Sequence, residues 1–74
     1  MPRIEEDIEA GTVIFTAPYY DVPGLLRAVA GYIEQRVSRI DDLDIRLGEP
    51  VPGDETPDMF RHRAILWVDT WKGE

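Results

Sequence analysis

The sequence predicts an α+β fold: a β-α-β-β order with one amphipathic helix packed on a three-stranded mixed sheet. Three observations carry that expectation. A β-branched run closed by proline precedes a long apolar stripe at three- and four-residue spacing. Residues 43–47 alternate strictly between apolar and charged. Residues 59–71 form a final run too long and too aromatic for a turn. At 74 residues the chain has room for one domain.

Residues 1–10 form an acidic arm, with Ile4 and Ile8 its bulky apolar residues after Met1. The arm either stays apart or adds an edge strand. Gly11 opens the domain proper, which runs over residues 11–72. Thr12 to Ala17 is rich in β-branched and aromatic residues and stops at Pro18, so it reads as a strand. Val13, Phe15 and Ala17 share one face, and Thr12, Ile14 and Thr16 share the other.

Asp21-Val22-Pro23-Gly24 reads as a helix start, with an acidic cap and a proline in the first turn. Val22, Leu25, Leu26, Val29, Ile33, Val37 and Ile40 then fall into one stripe at 100° per residue, flanked by Ala30 and Tyr32. The opposite face is small, with Gly24, Ala28 and Gly31, and is expected to face solvent. Asp41 and Asp42 end this helix. Leu43-Asp44-Ile45-Arg46-Leu47 is the second strand, and residues 48–58, with three prolines and two glycines, form a hairpin loop. In the last strand Phe60, His62, Ala64, Leu66, Val68 and Thr70 lie on one face. Arg61, Arg63, Ile65, Trp67, Asp69 and Trp71 lie on the other. A right-handed crossover makes the first two strands parallel, and the loop makes the last two antiparallel. The helix stripe is expected over Val13, Phe15, Leu43, Ile45, Leu47, Leu66 and Val68.

Composition narrows the chemistry. The chain has no cysteine and one histidine, which argues against disulfides and against metal sites built from thiolates or several imidazoles. No Ser/His or Cys/His arrangement, phosphate loop or dinucleotide fingerprint is present, and the acids sit in loops and at element ends. The expectation is a non-catalytic protein without a cofactor. A net charge of −7 disfavours direct binding to nucleic acid or anionic membrane. The acidic N-terminus differs from a signal peptide, and no run reaches the about 20 apolar residues of a membrane span. A cytoplasmic chain follows.

Two features point to a partner. Between residues 41 and 58 seven acids stand against Arg46 alone. Asp54, Glu55 and Asp58 in the loop are candidate contacts for a basic surface, as in small acidic inhibitors that mimic nucleic acid, phage-encoded ones among them. The bland alternative is a solvated loop that maintains solubility. The second feature is Ile65, Trp67 and Trp71, joined by Ile14 on a sheet face that a single helix leaves uncovered. Such apolar patches mark interfaces, and tryptophan is enriched at binding hot spots. The alternative is that the arm folds over this face with Ile4 and Ile8. His62 is expected as a hydrogen-bonded core residue, and Tyr19 and Tyr20 as a cap on the end of the core.

The strand-helix-strand-strand order resembles that of the dodecins, small flavin-storing shells in which a three-stranded sheet wraps a helix. The resemblance lies in element order. In that family the second strand begins with a tryptophan and a nearby glutamine that bind flavin, whereas Ile40-Asp41-Asp42-Leu43-Asp44 has neither. Two functions are therefore expected: a module that binds a protein with a basic or apolar surface, or a structural or small-ligand-enclosing homodimer or higher oligomer whose sheets pair through Trp67 and Trp71. A core this small favours completion against another surface, because a chain of this length buries only about 60–65% of its unfolded area.

Overall fold

The computed structural model describes residues 2–50 and 60–73. Along the chain run β1 (Arg3–Asp7), β2 (Thr12–Pro18), α1 (Val22–Arg36), β3 (Val37–Pro50) and β4 (Phe60–Trp71). The sheet has four strands in the order β1-β2-β4-β3, and every neighbouring pair is antiparallel. The arm takes the second of its two expected places, as an edge strand, and brings the sheet from three strands to four. The mixed pairing is corrected: β2 and β3 point the same way without touching because β4 lies between them. The insertion has a physical reason. β4 carries large apolar side chains on both faces, and the centre of the sheet shields both better than an edge does.

A tight turn brings β1 onto β2. The Gly11 amide donates to the Ile8 carbonyl at 3.2 Å, and the Ala10 amide donates to Asp7 Oδ1 at 3.2 Å. Gly11 has φ +69°, and a Cβ there would lie 3.1 Å from the Val68 carbonyl oxygen. Glycine is required at this position for both reasons.

Helix α1 starts as its sequence indicates. The Asp21 carboxylate caps it by accepting from the Gly24 amide at 2.9 Å. It ends at Arg36, four residues before the expected limit, and Val37 is already extended (φ −116°, ψ 127°). Val37 and Ile40 extend the apolar stripe, but as β-branched residues they also suit a strand. Val37 is buried from its position in β3. The second strand thus begins six residues earlier than its alternation suggested and runs on through Gly48 to Pro50.

The core lies between α1 and the two middle strands. Leu25, Val29 and Tyr32 descend on Val13, Phe15, Ala17, Ala64 and Leu66, with Val37 closing one end. Phe15 and Tyr32 meet edge to face at 5.5 Å. The expected cover of β3 does not occur. Leu43 and Ile45 stand opposite Leu66 and Ala64, on the helix side, yet they are 36% and 39% exposed, and Leu47 beside them is 58% exposed. A helix about 10 Å wide spans two strands spaced about 4.8 Å apart, not four. Leu26, another member of the stripe, is also exposed.

His62 joins the ends of three elements. It is buried, its Nδ1 accepts from the Gly48 amide at 2.9 Å, and its Nε2 lies 2.6 Å from the Tyr19 carbonyl. The neutral ring with hydrogen on Nε2 satisfies both contacts. Gly48, at φ +70°, turns the chain where β3 slips register between Arg46 and Glu49. Tyr19 and Tyr20 are both exposed and pack edge to face against one another at 5.4 Å, so they do not cap the core.

Candidate interaction face

Register fixes what the uncovered side of the sheet presents. Cross-strand partners share a face, and Val13, Phe15 and Ala17 point at the helix, so Thr12, Ile14 and Thr16 point away. Across the four strands the open face reads as rows. The first is Asp7, Thr12, Trp67 and Asp42. The second is Glu5, Ile14, Ile65 and Asp44. The third is Arg3, Thr16, Arg63 and Arg46. Ile14, Ile65 and Trp67 therefore form one partly exposed apolar centre, with a carboxylate at each end of both of its rows. β1 and β3 lie three strand spacings apart, so the flanking acids are about 14 Å from one another. The third row, with arginines on three of its four strands, makes the face bipolar.

Ile65 and Trp67 stand where the alternation of β4 places them. Trp71 does not. Three register shifts between Val37 and Asp42 break the alternation at that end of the sheet, and Trp71 stands opposite Val37. It packs on the core and meets Tyr32 edge to face at 6.3 Å. The arm does not cover the open face: Ile4 pairs with Phe15 on the helix side, and both Ile4 and Ile8 are exposed. Asp54, Glu55 and Asp58 lie outside the described residues.

The acids that the structure brings to the face are Glu5, Asp7, Asp42 and Asp44. In the arm, Arg3, Glu5 and Asp7 fall at every second position, but Glu6 between them is charged as well, so the sequence alone does not mark one charged side. Asp44 and Arg46 pair at 3.0 Å along β3, and Arg39 and Asp69 at 3.6 Å, all four being well exposed. Exposed pairs of this kind contribute about 0–1 kcal/mol; they set the pattern of charge more than the stability.

On the helix side Tyr32 is the perturbed group. Burial, then the nearby Glu6 carboxylate, push its hydroxyl up to about 12, and the Arg36 guanidinium pulls the other way. Arg36 pairs with Glu6 at 2.9 Å and sits 5.5 Å from the Tyr32 ring centroid. Close by, Ile8, Gln35, Arg36, Trp71, Lys72 and Gly73 line a cleft of about 260 Å³, where Lys72 Nζ bonds the Glu34 carbonyl. Among the described residues no group of three or more His, Asp or Glu side chains is placed to hold a metal ion, and no helix is long and apolar enough to cross a membrane. Comparison with protein-family models, curated proteins and solved structures finds no match.

Proposed function

We propose that this chain is a non-catalytic protein-binding module whose contact surface is the open face of the sheet. The observation that carries the reading is the pair of rows in which Trp67, Ile14 and Ile65 are flanked on both edges by Asp7, Glu5, Asp42 and Asp44. An apolar centre of this kind supplies affinity, and the flanking charge supplies orientation and rate. The complementary partner is a protein surface with an apolar or aromatic centre and lysines or arginines about 14 Å apart on either side. Occupying such a surface is how a small acidic inhibitor acts.

Affinity capture from a host lysate tests this, with the wild-type chain and a folded Trp67→Ala variant as parallel baits. The reading expects proteins retained by the wild type, lost with Trp67→Ala, and released as salt rises. Identical captures by the two baits would remove the open face from the account.

A further inference from the structure

The open face takes the Asp42 and Asp44 side chains from β3 but not the outer backbone edge of that strand. Its middle section, Asp42 to Arg46, keeps regular register with β4, has no strand among the described residues on its other side, and on the helix side leaves Leu43, Ile45 and Leu47 exposed. β1, the other edge, is five residues long and mostly charged, as guarded edges are. We propose that the β3 edge takes a second copy of this chain, the two β3 strands pairing antiparallel about a two-fold axis through Ile45.

The sequence of the strand selects that partner and that register. Residues 43–47 read Leu-Asp-Ile-Arg-Leu, apolar-symmetric and charge-antisymmetric about the middle. With the axis at Ile45, each Leu43 faces the other copy's Leu47 and the two isoleucines face each other. These six side chains make one apolar band on the helix side. On the open face each Asp44 faces the other copy's Arg46, so two complementary pairs form. Sliding the strands by two residues sets Asp44 against Asp44 or Arg46 against Arg46 on the axis. Sliding by one turns the apolar set to the opposite face. One register satisfies both faces. Isologous pairing of this kind is the commonest closed symmetry. It joins two sheets into eight strands and sets the two open faces side by side.

Sedimentation equilibrium from low to high micromolar concentration reads the association, with circular dichroism as the folding control. The wild type is expected to dimerise. Asp44→Arg and Arg46→Asp should each weaken the dimer by at least about tenfold, because like charges then face across the axis. An equimolar mixture of the two variants should restore it, since each arginine pair meets an aspartate pair. The chain has no cysteine, so Ile45→Cys forms a disulfide only between copies. It should cross-link on mild oxidation, and Ile4→Cys on β1 should not. The proposal is overturned by a wild type that stays monomeric, by charge variants that dimerise normally, or by a mixture that fails to recover. Trp67→Ala should dimerise like the wild type, so this interface and the open-face function fail independently.

Discussion

Truncating Leu66 to alanine should remove a large share of the domain's stability, while the same truncation at Leu26 should hardly be felt. Leu66 is fully buried in the central strand β4, in register with Val13 on one side and Leu43 on the other. Removing its branched end loses transfer free energy and leaves a cavity, for a cost of about 2–5 kcal/mol. Leu43 is partly exposed, so the site can relax toward that side, and about 3 kcal/mol is the expected value. At about 0.05–0.15 kcal/mol per residue the whole domain has only about 4–11 kcal/mol to lose. Leu26 is 47% exposed on α1, and alanine is the better helix former, so Leu26→Ala should cost less than about 1 kcal/mol. Urea unfolding followed by far-ultraviolet circular dichroism measures both. Equal losses at the two positions, or a loss below about 1 kcal/mol at Leu66, would refute a core centred on α1, β2 and β4.

Gly48→Ala should cost about 1–2 kcal/mol from backbone strain, since φ is +70° and none of the described residues lies within 4 Å of the added methyl; thermal unfolding reads it, and an unchanged midpoint would refute the required turn. Tyr32 gives a pH dependence with a definite sign. Its folded value of about 12 lies above the ordinary tyrosine value of about 10, so its contribution is complete below pH 10 and is lost as pH rises toward 12, at up to about 1.4 kcal/mol per pH unit. Tyr32→Phe should flatten that part of the urea-measured profile, and an unaltered slope would contradict the assignment.

Much of the fold was legible in the residues. The strand over Thr12 to Pro18, the Asp21 cap, the face carrying Leu25 and Val29, and the alternation of β4 through Val68 all follow from spacing and side-chain type. What was not legible depends on how elements meet. Val37 and Ile40 satisfy a helical stripe and a strand equally, and pairing with β4 decides for the strand. The central place of β4 is a property of the sheet as a whole. Counting in twos places Trp71 on the open face, and the count fails where Val37 to Asp42 slip register. Ile4 gave no sign that it would face the helix side beside Phe15. Of the open face, Ile14, Ile65 and Trp67 could be found from alternation alone; the carboxylates on either side required the pairing of β1 and β3.

The account rests on Trp67 being held out for a partner and not needed for the fold. The unfolding free energy of Trp67→Thr, which replaces the tryptophan with a β-branched residue suited to a strand, tests this most directly. The account predicts a value within about 1 kcal/mol of the wild type, the usual range of an open sheet position. A loss of about 3 kcal/mol or more, the cost of emptying a buried tryptophan site, would place Trp67 in the core and contradict it.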